Sequence, residues 1–232
     1  MGFLLLLKVI SGLLYIFLYS LLGLWYVMIA IKSHSFQYLR NINTTETVID
    51  FMHCMYATEP SVEWEIQCYH HETRTTISYY TDSYGHRHYS TTTTTVRVNT
   101  HHARGKLFFE SWRDASTPLN QEEISVFAMT KVSVKKKWVG DAGALEQRAS
   151  FIRQNNLDTN YDFKETLSLK GYRPRFLGLT DLDKKPVLAH WAFYIAAHLI
   201  IIPAIPYVIW LSSRTGKVRT VITKYIYTAN YD

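Results

Sequence analysis

Two long apolar stretches bracket a polar middle. From Phe3 to Ile31 the only charged residue is Lys8, and from Val187 to Leu211 there is no Asp, Glu, Lys or Arg. A membrane-crossing helix takes roughly 20 apolar residues, so each stretch can cross a bilayer once. The first begins with little positive charge and runs past the length of a signal-peptide core, which marks a retained anchor rather than a cleaved leader. In the second, Pro203 and Pro206 each remove a backbone donor and press on the preceding turn, which predicts a kink or break. The expectation is a kinked single span that carries the tail from Ser212 across the membrane, where another subunit holds its strand. If the segment turned back instead, that strand could join the sheet of the central domain.

Between the anchors the pattern is that of a folded domain. Residues 32–61 are mixed, suiting a helical or irregular lead-in. From Val62 onward β-branched and aromatic residues dominate. Segments 64–80 and 87–101 read as two long strands of a hairpin reversing within 82–86, at Asp82-Ser83-Tyr84-Gly85. Lys106–Glu110 and Ile124–Trp138 are further strand candidates, then 161–169 and 175–179. Asp141 can cap a helix whose Leu145, Ala149 and Ile152 recur at helical spacing, ending near Asn155-Asn156. The tail KVRTVITKYIY, 217–227, reads as a strand. The expected fold class is an α+β membrane protein: two apolar transmembrane segments (3–31 and 187–211) flank a mostly antiparallel sheet domain (32–186) with one main helix, and a basic tail with a strand (212–232) follows.

Charge changes the picture little. The net charge of +6 beside two apolar segments points to anionic phospholipid headgroups rather than nucleic acid. In KVSVKKKW, Lys131, Ser133, Lys135 and Lys137 share one strand face, while Val132 and Val134 take the other. With Trp138 at its end, this face suits an acidic partner or a charged bilayer, each lysine contributing about 1 kcal/mol there. Lys184, Lys185, Arg214, Lys217 and Arg219 flank the second apolar stretch and join the same lipid- or partner-binding set.

Candidate chemistry centres on histidine. Six of the ten histidines fall between Cys68 and Gly105. Hairpin pairing places His70 near His101 and His102, and puts His86 and His88 at the turn, about 45 Å away at about 3.3 Å per residue. Side-chain alternation sends the members of each HH pair to opposite faces, leaving two ligands, or three with Glu72, where zinc takes four or three and an open position. Hydrogen-bonded structural histidines are therefore expected, with no metal and no cofactor. Nucleophile, nucleotide and zinc-protease motifs do not occur, and Cys54 and Cys68 are too few for a disulfide scaffold. Asn43-Thr44-Thr45 is one glycosylation triplet, of a kind that arises by chance.

Four ordered motifs carry a resemblance. Trp64 precedes Tyr69-His70; the return strand holds Val98-Asn99-Thr100-His101-His102-Ala103; Gln147-Arg148-Ala149 is followed by Phe151, Asn155 and Leu157-Asp158; Pro206 is followed by Arg214-Thr215 and Lys224. From about Glu59 to its end the chain resembles the transmembrane protein 151 family. The resemblance implies a multi-pass membrane protein without catalysis, and gives Tyr69, His70, Asn99, Thr100, His101, Gln147 and Arg148 a shared structural role. It also has departures: the family carries two separated apolar segments before the domain, an Asn-Gly type turn where this chain has Ser-Tyr-Gly, and a longer C-terminal extension.

The functional expectation is a non-enzymatic, multi-pass integral membrane protein, a structural or accessory component of a complex with other membrane-protein subunits. The alternative is a lipid- or ion-responsive regulator acting through the basic face of 131–138; a metalloenzyme at the His70/His101 end of the hairpin is a third. The composition fits an organellar inner membrane as well as an endomembrane or the plasma membrane.

Overall fold

The computed structural model describes residues 2–229, with side chains from Lys8 onward. The helices are α1 (Gly2–Lys32), α2 (His34–Arg40), α3 (Thr45–Ala57), α4 (Gln121–Ser125), α5 (Ala142–Asn155), α6 (Trp191–Ile200) and α7 (Ala204–Ser213). The strands are β1 (Ile42–Thr44), β2 (Pro60–Thr81), β3 (Arg87–Lys106), β4 (Ser111–Asp114), β5 (Met129–Gly140), β6 (Asn160–Leu169), β7 (Arg175–Leu179) and β8 (Thr215–Tyr227). They form two compact units: residues 2–57 with Ser116–Lys136 and Gly171–Ile222, and Thr58–Ala115 with Lys137–Lys170 and 223–229.

In the first unit, α1 exposes its apolar side chains; Leu13 is 62% exposed and Ile16 likewise. A core helix would bury such a stripe, so this surface is built to face lipid. Among the described residues, Lys8–Lys32 is the one helix long and apolar enough to cross a membrane. Ser33 ends it and caps α2, its hydroxyl accepting the Phe36 N–H at 3.2 Å.

The second apolar stretch corrects the expected span. It breaks into a 3-10 turn (Val187–Ala189), then α6 and α7, each of 10 residues. Ten residues rise about 15 Å, half of a bilayer core of about 30 Å. The break falls where the prolines foretold, but it is a reversal. Ile201 adopts a left-handed φ of 67°. Pro203 stands at the N-cap of α7 and Pro206 in its first turn, where the missing N–H would have no helical partner anyway. The prolines therefore start a helix instead of bending one.

Contacts with α1 fix this hairpin. Ser33 Oγ meets Tyr194 Oη at 2.8 Å, the Tyr26 ring stacks on His198 at 5.6 Å, and Tyr19 Oη donates to the Ile200 carbonyl at 2.6 Å. Successive residues of α6 thus meet receding residues of α1, so the two helices run antiparallel. Gly23 permits the approach, since a Cβ there would lie 2.9 Å from the Leu199 carbonyl oxygen. The Ile200 carbonyl accepts the Ile202 N–H across the turn at 2.8 Å, and the Tyr19 hydroxyl adds a second hydrogen bond to it from α1. On the way back, Tyr207 Oη donates to the Leu188 carbonyl.

The tail then enters the chain's own sheet, which overturns its assignment to another subunit. The five-stranded sheet has the order β1-β7-β5-β8-β4. It is mixed, not mostly antiparallel: β1 runs parallel to β7 (Ile42 opposite Leu177), while β5 is antiparallel to β7 (Ser133 opposite Arg175). Leu39, Met129, Leu177, Leu179, Tyr207 and Leu211 share one core beneath the sheet. The glycosylation triplet is absorbed here: Asn43 pairs opposite Gly178, and the buried Thr45 hydroxyl donates to the Leu179 carbonyl at 3.1 Å. Two strand boundaries also differ from the sequence reading. Ile124 lies in α4, with β5 starting at Met129, and residues 107–110 are irregular before the short β4.

The second unit holds the sheet β3-β2-β6. Its hairpin pairs Glu63 with Lys106 through Thr81 with Arg87, with a bulge between Cys68 and Tyr69. Asp82 makes the turn by accepting the Tyr84 and His86 N–H groups, and Gly85 supplies the left-handed φ of 87°. From Pro60 to Cys68 every second side chain is buried, and β6 covers that part of β2. Beyond His71 both strands are exposed on both faces apart from half-buried Val96 and Val98. Asp141 caps α5 as expected, accepting the Ala144 N–H at 2.8 Å. Phe151 of α5 lies over Gly105, where a Cβ would come within 2.6 Å of its ring.

Candidate functional site

Strand alternation in the first unit builds a basic cavity. Val132 and Val134 are fully or almost fully buried on one face of β5. Lys131, Ser133 and Lys135 therefore occupy the other face of β5, and that face lines a cavity of about 650 Å³. β8 contributes Lys217 and Arg219, β7 contributes Arg175, and His34 closes one side from the start of α2. Five cationic side chains thus line the space, and among the described residues its lining contains no Asp or Glu. Burial and the positive charge of Lys217 hold the Lys131 ammonium below its ordinary pKa.

Arg175 is held in place by neutral groups. One guanidinium nitrogen donates to Gln37 Oε1, and another donates to His34 Nε2 at 3.2 Å. His34 must then present an unprotonated Nε2, so it orients the arginine without adding charge beside it. Gly216 at the start of β8 has no room for a side chain, since a Cβ would lie 2.4 Å from the Phe127 ring. This close packing sets where the following Lys217 and Arg219 enter. On the opposite face of β5, Lys136 lies 4.5 Å over the Tyr172 ring, and burial lowers its pKa.

The structure sorts the basic residues chosen from sequence into three groups. Lys131, Lys135, Lys217 and Arg219 come together in this cavity. Lys184 and Arg214 line a second cavity of about 540 Å³ with Met129, Pro186 and Trp210, and Lys184 is ion-paired there to Asp181 at 3.2 Å. Lys137 and Trp138 belong to the second unit, where the Trp138 indole donates to Glu165 at 3.0 Å, and Lys185 lines neither cavity. Sequence reasoning missed Arg175 and His34 as site residues. The visible signal was only Arg175 opening a short strand; its convergence with β5 and β8 is a property of the sheet order.

The histidine stretch resolves into hydrogen-bonded groups. The bulge lets Thr100 fall out of register, and its hydroxyl donates to Asp158 Oδ2 at 2.5 Å. His70 Nδ1 meets the same oxygen at 2.9 Å, while its Nε2 meets Glu72 at 3.3 Å. Asp158 is held well below the usual carboxylate range by the Thr100 hydroxyl and by His70, and His70 is raised in turn by Asp158 and Glu72. Arg97 lies 3.6 Å over the Tyr69 ring and also reaches Asn99 and Asp162. Gln147 bonds both backbone groups of Phe108, and Arg148 sits 3.4 Å from Glu165. His101 and His71 stand apart: His101 Nε2 is buried with no hydrogen-bond partner among the described residues, and His71 meets the Tyr69 ring edge-on at 5.4 Å. His102 meets Glu65, and His86 and His88 meet Asp82. Among the described residues no group of three or more His, Cys, Asp or Glu side chains is arranged to hold a metal ion.

A lipid-facing helix, an apolar hairpin packed along it and a mixed α+β body define an integral membrane protein. The TMEM151 family model matches residues 9–231, and the chain belongs to that family. Comparison with curated proteins and with solved structures returned no match.

Proposed function

We propose that this membrane protein binds anionic phospholipid headgroups in the cavity of the first unit and acts without catalysis, as a lipid-responsive component of its membrane. The observation that carries this reading is the convergence of five cationic side chains on one cavity whose described lining has no carboxylate. Cations gathered without counterions repel one another, and an anion from outside relieves that repulsion. Placement supports the same ligand. The lining includes His34 and Ser35, just past the end of α1, and Val208 and Ser212 near the end of α7. Both apolar elements therefore end at the cavity, at the depth where headgroups lie. The α6–α7 hairpin in this reading dips into one leaflet and returns, its outer residues Ile202, Ile205 and Ile209 facing lipid.

The test uses the purified full chain in detergent, titrated with dioctanoyl phosphatidylserine and dioctanoyl phosphatidylcholine. Saturable binding of the anionic lipid alone, weakening with salt, is the expected result. The double variant Lys131→Ala with Lys217→Ala should lower that affinity by at least ~10-fold, about 1 kcal/mol being lost per lysine. Equal binding of the two lipids would refute the reading.

A second reading, as a structural or accessory subunit among other membrane proteins, is favoured by the hairpin. Its outer half is a two-stranded ribbon with Tyr79, Tyr84 and Tyr89 at least 73% exposed. Such a ribbon is marginal alone, and its open edges suit an added strand from a partner subunit. Cross-linking from Tyr89, replaced by a photoreactive residue, would capture that subunit; adducts with lipid alone would count against this reading.

A further inference from the structure

We infer that the cavity selects a phosphomonoester, a phosphate group with one ester bond, over the phosphodiester found in ordinary anionic phospholipids. This rests on the reading of the cavity as a headgroup site and goes beyond it in naming the group recognised. A diester phosphate carries a single negative charge, whereas a monoester carries about −1.5 to −2 at neutral pH and presents three acceptor oxygens. Five cations with no carboxylate among them are poorly matched by one charge and better matched by two. Lys131 and Lys217 are near enough for one charge to weaken protonation of the other, so a dianion bound there relieves a repulsion that a monoanion relieves less.

Geometry adds a second argument. Arginine in a planar fork recognises phosphate oxygens in pairs, and this works best where the guanidinium is already oriented. Arg175 is oriented in advance by Gln37 and His34, both of which leave its charge uncompensated. Ser133, paired opposite Arg175 across β5 and β7, adds a hydroxyl to the same lining. The second cavity gives the contrast within the same unit. Its lining includes the Asp181 carboxylate, paired to Lys184 at 3.2 Å, so an anion entering there would have to compete with it.

The experiment compares dioctanoyl phosphatidic acid, a monoester, with dioctanoyl phosphatidylserine, a diester, on the full chain in detergent. The expected result is binding of the monoester at least ~10-fold tighter, the size expected when a charge-assisted, paired contact is added. Arg175→Lys keeps the charge but not the fork, so it should cut that preference to about 2-fold or less while leaving phosphatidylserine binding within about 2-fold. Lys170→Ala, in the other unit, should change neither, and thermal unfolding of each variant reports whether it folds. Glycerol 3-phosphate as competitor identifies the carrier. Displacement at matched concentration assigns the monoester to a soluble ligand, and displacement only in large excess assigns it to a lipid; either result supports the selection. Equal affinity for the two lipids overturns the monoester assignment but leaves headgroup binding standing. Binding of neither above phosphatidylcholine overturns both.

Discussion

The stretches 2–32 and 187–213 are equally apolar to the eye, yet one is a single helix of 31 residues and the other folds back on itself after 10. α1 contains no proline, and its two interior glycines, Gly12 and Gly23, are tolerated within an unbroken helix. The second stretch places Pro203 and Pro206 where a new helix can begin, and Ile201 takes the left-handed conformation that joins the two halves. Apolar length measures how far a segment can go through lipid, while the direction it takes is set by where its backbone donors stop. The partner matters as well. α6 packs beside α1 because Gly23 opens a groove, and Tyr19 adds a hydrogen bond from α1 to the Ile200 carbonyl at the turn.

The largest effect that would break this comparison is topological. In a background with Cys54 and Cys68 replaced, cysteines at Ser116 and Ser213 should be labelled from the same side of sealed vesicles, and a tag at the N-terminus from the other. Labelling of Ser116 and Ser213 from opposite sides would restore the second span. Next in size, Gly23→Leu forces a side chain against the Leu199 carbonyl. Overpacking of this kind costs about 1–3 kcal/mol, which should appear as a lowered Tm in detergent and faster hydrogen exchange through α6. Gly12→Leu, where a Cβ meets nothing within 4 Å, should leave both unchanged.

Tyr19→Phe sharpens the comparison at a single bond. It removes one of the two hydrogen bonds that the Ile200 carbonyl accepts, the other coming from the Ile202 N–H, and a bond of this kind contributes about 0.5–1.5 kcal/mol. The expected signature is faster proteolysis at the hairpin tip with the sheet unaffected. Ile201→Gly gives the smallest change and the opposite sign. Relief of a β-branched residue from the left-handed region should raise stability by about 1 kcal/mol, less the extra freedom glycine brings to the unfolded chain. A fall in Tm would mean that the Ile201 side chain contributes packing that outweighs its backbone strain.

Much of the fold was legible in the residues because it depends on local physics. Alternation in Val62–Cys68 and in 131–135, the turn at Asp82–Gly85 and the cap at Asp141 all follow from a side chain acting on backbone within a few residues. The hairpin register also followed, since a tight turn fixes every pair beyond it. The bulge did not, because its Thr100 and neighbouring His70 are held by Asp158, which the connection between α5 and β6 brings from far along the chain. The cavity was legible by halves. Lys131 and Lys135 were visible as a face, and Lys217 and Arg219 as a flank, but Arg175 and His34 were only scattered polar residues.

What the sequence determined by itself is therefore the set of surfaces: an anchor, a second apolar stretch with a break, strands with one basic and one apolar face, and a capped helix. The tertiary structure alone decided which surfaces meet. Strand order β7-β5-β8 gathers cations that lie more than eighty residues apart between Lys131 and Lys217. The reversal at Ile201–Pro203 allows it, since a tail carried across the membrane could not have joined β5. The physical reason is that periodicity encodes which face of an element is buried, whereas pairing between distant elements depends on packing and backbone hydrogen bonds that no local pattern records.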